Sequence, residues 1–139
     1  MTFICSWWRQ VTDPPHQKPA YAMVYVVTAL TGLVTLMVPP KSIEGAIGPI
    51  LMLLIGALWC AGGVLAFVTL FSRWWWLERL SLAVAALGTV LYGSVVAMLH
   101  VQAEGSRLTQ LGIVILSLLL YLVRWISIRQ WSYAPPDKE

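Results

Sequence analysis

The fold is decided by one stretch near the middle of the chain, Ser72-Arg73-Trp74-Trp75-Trp76-Leu77-Glu78-Arg79-Leu80. It is a short polar and aromatic break between two long apolar runs, with an arginine on each side of three adjacent tryptophans. An indole ring buries an apolar body and hydrogen-bonds through its N–H, so tryptophan is enriched where a bilayer meets water. The stretch therefore predicts a turn at a membrane surface that joins two transmembrane helices.

The composition indicates a membrane protein. Of the 139 residues, 59% are hydrophobic and only 11% are charged, and the mean hydropathy is +0.77. Soluble domains carry about 25% charged residues, so this chain has too little polar surface to cover a globule in water. The net charge of +3 is small and the basic residues are spread along the chain, which argues against a nucleic-acid partner.

Outward from the break, four apolar runs are each long enough to cross a hydrocarbon core, which takes about 20 helical residues. We predict an all-α integral membrane protein with four transmembrane helices in a bundle, at residues 20–38, 46–71, 80–99 and 108–128. The transmembrane domain then covers residues 20–128, and residues 129–139 form a cytoplasmic tail. Pro49 either stands in the first turn of the second span or kinks that span.

Residues 1–19 precede the first span and are predicted to form a cytoplasmic interfacial segment. One apolar set recurs there at helical spacing, namely Phe3, Ile4, Trp7, Trp8 and Val11. This pattern is typical of an amphipathic helix that lies flat in the membrane interface. The alternative is a frayed tail that contains some aromatic residues.

Small residues predict how the spans pack. The third span has one at every fourth position: Ser81, Ala85, Thr89, Gly93 and Ala97. The second span carries Gly48, Gly56 and Cys60. Small side chains let helix backbones approach closely, and such contact drives helix association in lipid. We therefore expect the second and third spans to form the packed centre and the fourth span to face lipid.

The basic residues predict the orientation. With four spans, the N-terminus, the Trp-rich break and the C-terminus share one side of the membrane, and seven of the nine basic residues lie there. The positive-inside rule makes that side cytoplasmic, which predicts a multi-pass protein of the cytoplasmic (inner) membrane with both termini inside. The expected interface anchors are Trp7, Trp8, Arg73, Trp74, Trp75, Trp76, Arg79, Arg124 and Trp125.

Three charged residues receive a more specific interpretation. Arg124, near the end of the fourth span, is interpreted as snorkelling to the interface beside Trp125. Glu78 and Arg79 are interpreted as a local charge balance within the turn.

No residue pattern in the chain indicates catalysis. The two histidines are predicted on opposite sides of the membrane, and no metal-binding or phosphate-binding motif occurs. We therefore expect no enzyme activity, cofactor, metal or small-molecule substrate. His100 and Glu104 could form a pH-sensitive pair, although a solvated helix end has the same pattern. Thr28, Thr31 and Thr35 lie on one side of the first span, either for packing or to line a pore.

The segment Arg73–Arg79, followed by Gly88–Gly93 of the third span, resembles holin-like membrane proteins in the lysis cassettes of phages that infect actinobacteria. The four-span layout with a basic, aromatic cytoplasmic face is also similar. The resemblance implies a protein that forms homo-oligomers in the cytoplasmic membrane through small-residue faces. Beyond a threshold density it would permeabilise or depolarise the membrane during phage-induced host cell lysis.

Two other functional classes remain open. One is a non-enzymatic membrane scaffold, an exclusion protein or an accessory subunit of a larger membrane complex, which would dock through the cytoplasmic aromatic face. The other is a small transporter or channel. The absence of charge at the span centres disfavours the transporter, because ion-coupled transport generally uses ionisable groups there.

Overall fold

Four long helices and one short helix make up the described part of the chain. The structure, a computed structural model, describes residues 17–72, 74–102 and 106–130. In chain order the helices are α1 (Gln17–Met37), α2 (Lys41–Ile47), α3 (Pro49–Leu70), α4 (Trp75–Gln102) and α5 (Leu108–Gln130). No β-strand occurs within these ranges. The prediction of an all-α bundle is confirmed.

The four long helices correspond to the four predicted spans. Each contains a segment long and apolar enough to cross a bilayer, at Lys18–Met37, Pro49–Leu70, Trp76–Gln102 and Leu108–Ile128. The chain is therefore a multi-pass membrane protein. The predicted interfacial helix within residues 1–19 falls outside the described residues, except that α1 already begins at Gln17. The predicted tail likewise lies outside them beyond Gln130, where α5 ends.

The turn between α3 and α4 is shorter than the predicted break at Ser72–Leu80. Helix α4 starts at Trp75, so Glu78 lies in its first turn. The amides of Leu77 and Glu78 each donate to the carbonyl oxygen of Trp74, at 3.1 Å. A carboxylate in the first turn interacts favourably with the partial positive charge of a helix N-terminus. The charged half of the Trp-rich stretch therefore belongs to a helix rather than to a loop.

The connection between α1 and α3 contains helix α2, where the sequence predicted only a short loop. Gly48 follows α2 with a φ angle of +83°, a conformation that glycine adopts without steric cost. Pro49 takes the first turn of α3, where its missing N–H removes no helical hydrogen bond. Pro49 thus starts the helix and does not kink it.

The prediction that Gly48 packs against a neighbouring helix is wrong. A Cβ atom added at Gly48 would have no atom of the described residues within 4 Å, apart from its chain neighbours and the adjoining helix backbone. Its positive φ explains why glycine occupies this position, because the reversal from α2 into α3 requires it.

Neighbouring long helices run antiparallel, as their closest contacts show. These contacts join Ala29 to Gly63 and Leu36 to Gly56 (α1 with α3), Gly62 to Ala85 (α3 with α4), and Gly93 to Val114 (α4 with α5). The start of α1, the α3–α4 turn and the end of α5 therefore lie together, at what we call the aromatic end because Trp74 is there. The opposite end, with Pro40 and α2, is the far end.

Helices α3 and α4 form the centre of the bundle, as predicted. In their most apolar segments 39% of the residues are buried, against 22% in α1 and in α5. Helix α1 packs on α3 and helix α5 packs on α4, whereas α1 and α5 make no extensive contact with each other. The fourth span is exposed to lipid as expected, and it shares this property with the first.

Candidate functional site

A buried charge pair joins three helices at the aromatic end. Arg124 on α5 donates through Nε to Oε1 of Glu78 on α4, at 2.9 Å. Tyr25 on α1 donates its hydroxyl to the same oxygen, at 3.0 Å. The Tyr25 side chain is almost completely enclosed, and Glu78 and Arg124 each expose only 5% of their surface. We call these three residues the latch, because they tie α1 and α5 to α4.

An aromatic ring covers the cationic member of the latch. The guanidinium carbon of Arg124 lies 5.0 Å from the centroid of the Tyr21 ring, within the range of a cation–π interaction. A buried charge is stable only when it is paired and hydrogen-bonded. Arg124 has both a carboxylate and an aromatic partner, which accounts for its place inside the bundle.

The structure corrects two interpretations of these charges. Arg124 does not snorkel to the interface, since its side chain is 6% exposed and points to Glu78. Glu78 does not merely balance Arg79 within the turn, since its hydrogen-bond partners lie on α1 and α5. The physical reason is the antiparallel register of α4 and α5, which brings the first turn of one beside the last turns of the other.

A second polar layer lies deeper in the bundle. The hydroxyls of Thr28 and Tyr121 are 2.8 Å apart and connect α1 directly to α5. Thr28 also donates to the carbonyl oxygen of Val24 in its own helix, at 2.8 Å. In the same layer, Trp59 donates through Nε1 to Thr89 at 2.9 Å and links α3 to α4.

Beyond this layer α1 and α5 separate and leave a cleft of about 690 Å³, which we call the seam cleft. It extends from Thr28 and Tyr121 to Val38 and Pro40 at the far end. Its walls are faces of α1 and α5, and its floor includes Trp59 and Tyr92, whose rings are 5.1 Å apart. The seam cleft is thus closed by hydrogen bonds toward the aromatic end and extends to the far end.

The lining of the seam cleft is uncharged and mainly apolar. Three wall hydroxyls donate to carbonyl oxygens of their own helices: Thr31 to Val27 at 2.8 Å, Thr35 to Thr31 at 2.7 Å, and Ser117 to Ile113 at 2.9 Å. These bonds satisfy the donors without a second helix or water. The three threonines of α1 named in the sequence analysis, Thr28, Thr31 and Thr35, therefore all line the seam cleft.

The small residues of α4 lie inside the bundle and serve two neighbours. The first four members of the set are buried and the last is half-buried, namely Ser81, Ala85, Thr89, Gly93 and Ala97. Ala85 meets Gly62 on α3, and Gly93 meets a methyl group of Val114 on α5. The α4 stripe is therefore occupied by contacts within one copy of the chain.

The small residues of α3 bring α1 close. Gly56 is buried beside Leu36, and the backbone of Cys60 lies directly against Gly32. A side chain at Gly32 would overlap that backbone, so only glycine allows this approach. The predicted packing face of α3 thus contacts α1, whereas its contact with α4 uses Gly62.

The predicted interface anchors differ in their surroundings. Trp74 and Trp76 expose 61% and 67% of their surface, and Trp125 exposes 36%. Arg79 is half-buried in the first turns of α4. Three other predicted anchors lie outside the described residues, namely Trp7, Trp8 and Arg73. Trp75 is the first residue of α4, but its side chain is not among those described.

Two partners in the site were not predicted from the sequence, Tyr25 and Tyr121. A signal for Tyr25 exists, because Tyr21, Tyr25 and Thr28 recur at helical spacing on one face of the first span. The Glu78–Arg124 pair also has a signal: opposite charges lie at adjacent ends of consecutive antiparallel spans. The spacing alone could not distinguish pairing inside the bundle from solvation at the interface.

Within the described ranges, no group of three His, Cys, Asp or Glu side chains could hold a metal ion. His100 accepts a hydrogen bond through Nδ1 from the backbone amide of Arg107, at 3.2 Å, while Glu104 lies outside the described residues. Comparison of the chain with protein-family models, with curated proteins and with solved structures finds no match.

Proposed function

We propose that this protein permeabilises the cytoplasmic membrane in the manner of a holin, by opening along the boundary between α1 and α5. The observation that supports this proposal is the seam cleft. A four-helix bundle is normally closed by contact between its first and last helices, and here that contact gives way over part of its length to a cleft whose mainly apolar lining carries several hydroxyl groups.

In the closed state, polar bonds at one end hold the two sides of the boundary together. Tyr25 and Arg124 share one oxygen of Glu78, and the hydroxyls of Tyr121 and Thr28 are hydrogen-bonded to each other. Apolar packing that involves both α1 and α5 is confined to the aromatic end, where Tyr25 shares a buried cluster with Tyr121 and Ile128. Separation of α1 from α5 therefore breaks this packing and a small number of hydrogen bonds, each of which contributes about 0.6 kcal/mol on average in a membrane protein.

In the open state, the faces that now line the cleft would meet the corresponding faces of other copies. Thr31, Thr35 and Ser117 already satisfy their donors within their own helices, and their oxygens keep lone pairs that can accept bonds from water. Such faces can border an aqueous lesion better than aliphatic faces can. The homo-oligomer would thus form through the opened boundary and not through the α4 stripe, which is occupied within each copy.

The test is depolarisation of bacterial cells after induced expression, measured with a voltage-sensitive dye. We expect the wild-type chain to depolarise the cells after a delay. The Tyr121→Phe variant removes the direct hydrogen bond between α1 and α5, favours opening about threefold, and should shorten that delay. The matched control is Tyr92→Phe, because the Tyr92 hydroxyl makes no hydrogen bond with the described residues. Full membrane insertion with an unchanged potential would contradict the proposal.

A second candidate is an accessory subunit of a larger membrane complex, favoured by the internal use of the α4 stripe. A bundle whose small-residue faces are already occupied is suited to act as a single copy beside a partner. This candidate predicts stoichiometric co-purification with one membrane protein and no depolarisation when the chain is expressed alone. A transporter or channel would instead give steady flux that depends on Thr31 or Thr35 in liposomes.

A further inference from the structure

We infer that, in the closed bundle, the seam cleft binds one acyl chain of a lipid from the leaflet at the far end. This inference goes beyond membrane permeabilisation and does not rest on it, because it concerns the resting protein. It is based on the length, rim and lining of the cleft.

The length of the seam cleft matches one leaflet. It extends from Thr28 along α1 to the end of that helix at Met37 and on to Pro40, and a rise of 1.5 Å per residue makes the helical part alone about 14 Å long. Half of a hydrocarbon core is about 15 Å thick. The hydrogen bond between Thr28 and Tyr121 closes the cleft at its deep end, near the depth where an acyl chain from the far leaflet ends.

The rim of the cleft is apolar and exposed, so lipid has access from the side. Val27, Leu30 and Val34 on α1 expose 61%, 54% and 59% of their surface, and Ile113 on α5 exposes 61%. All four line the cleft. Because these side chains belong to the membrane-spanning segments, the medium that meets them is the hydrocarbon of the bilayer.

The lining of the cleft suits a hydrocarbon chain better than a polar ligand. It contains no charged side chain, and the hydroxyls of Thr31, Thr35 and Ser117 already donate to their own helices. A chain of methylene groups can pass over these walls without leaving any of the three donors unsatisfied. A chain in the cleft also fills space that would otherwise lack van der Waals partners on one side.

Trp59 provides an internal reporter for this site. It exposes only 8% of its surface and yet lines the cleft. Bromine atoms quench indole fluorescence on contact, so bulk lipid quenches Trp59 poorly and a brominated chain inside the cleft quenches it well. We therefore propose to place the full chain in vesicles of phosphatidylglycerol brominated in the middle of its acyl chains, and in vesicles of the unbrominated lipid. The Trp59→Phe variant defines the emission that belongs to Trp59.

Two variants fill the cleft from opposite walls, Ser117→Phe and Thr31→Phe. We expect quenching of Trp59 in the wild-type chain and loss of that quenching in both variants, each with the helix content of the wild type by circular dichroism. The control is Leu53→Phe, which adds a ring on the exposed surface of α3, outside the cleft, and should keep the quenching. Either absence of Trp59 quenching in the wild type, or equal quenching in the wild type and a folded filled variant, would overturn the inference.

Discussion

At the scale of single residues, Glu78 is the group on which the aromatic end depends. A carboxylate inside an apolar bundle is stable only if its charge is neutralised and its oxygens are hydrogen-bonded. Glu78 meets both conditions by sharing Oε1 between Arg124 and Tyr25. Removing its charge would leave the guanidinium of Arg124 buried without a counter-charge, beside the ring of Tyr21.

We predict that Glu78→Gln destabilises the bundle by about 3 kcal/mol, because breaking a buried pair leaves an uncompensated charge. The double variant Glu78→Gln with Arg124→Gln should be more stable than the single one, because both charges are then absent. Unfolding in mixed micelles by added dodecyl sulfate, followed by circular dichroism, measures both effects.

The control for this prediction is Glu44→Gln. Glu44 is half-buried, and its side chain has no ion pair or hydrogen bond with the described residues. This change should leave the unfolding midpoint near that of the wild type. An equal shift for Glu44→Gln and Glu78→Gln would show that the latch contributes nothing specific.

At this scale the sequence identified the charged residues of the site but not their partners. Arg124 was predicted near the end of its span, and that position is correct. Whether its side chain turns outward or inward depends on the rotation of α5 about its axis relative to α4. A run of Leu, Ile and Val on all sides of the fourth span does not fix that rotation, because any face can meet lipid.

At the scale of elements, glycine positions determine how closely the helices approach. A methyl group added at Gly63 would lie 2.5 Å from the backbone nitrogen of Ala29, and a backbone cannot move aside without moving the helix. A methyl group at Gly93 would meet only the side chain of Val114, at 2.7 Å, and that side chain can rotate. The α1–α3 contact is therefore less tolerant than the α4–α5 contact.

We predict a graded series for three substitutions to alanine. Gly63→Ala should separate α1 from α3 and cost about 2 kcal/mol, typical of overpacking in a core. Gly93→Ala should cost less, since Val114 can adjust. Gly112→Ala should cost nothing. Apart from its chain neighbours and the backbone of its own helix, no atom of the described residues lies within 4 Å of the position that the added methyl group would take. The same detergent unfolding assay ranks the three, and a Gly112→Ala loss equal to that of Gly63→Ala would contradict the packing argument.

The sequence predicted the long helices well because uniform apolarity over a bilayer thickness is a strong signal. It failed at α2 and at the start of α4. Polar and charged residues such as Lys41, Glu44 and Glu78 suggested loops, yet helix geometry continues through them where backbone bonds and the helix dipole favour it. The hydropathy of the sequence indicates where the apolar part of a span ends, and a helix can continue into the polar residues beyond it.

At the scale of the whole molecule, the bundle is asymmetric between its two ends. The aromatic end combines the latch with the exposed rings of Trp74 and Trp76, and the far end contains the mouth of the seam cleft. The sequence predicts that the aromatic end faces the cytoplasm, because the stretches that meet there hold most of the arginine and lysine residues.

Because Arg124 is buried, the prediction that the aromatic end faces the cytoplasm must hold without counting it. Its charge is paired with Glu78 inside the bundle, so together they contribute no net charge at the aromatic end. Lys41 and Arg107 remain the basic residues of the far end, where Glu44 offsets one of them. The excess of basic residues at the aromatic end persists without Arg124, and the positive-inside rule still favours a cytoplasmic aromatic end.

We therefore predict that both termini are cytoplasmic. A green fluorescent protein fused to the C-terminus should fluoresce, because it folds in the cytoplasm, and an alkaline phosphatase fused there should be inactive, because it needs the oxidising exterior to form its disulfides. Phosphatase fused after Lys41, at the far end, should be active. The reverse pattern would place the mouth of the seam cleft in the inner leaflet, and the acyl chain that it binds would then come from that leaflet.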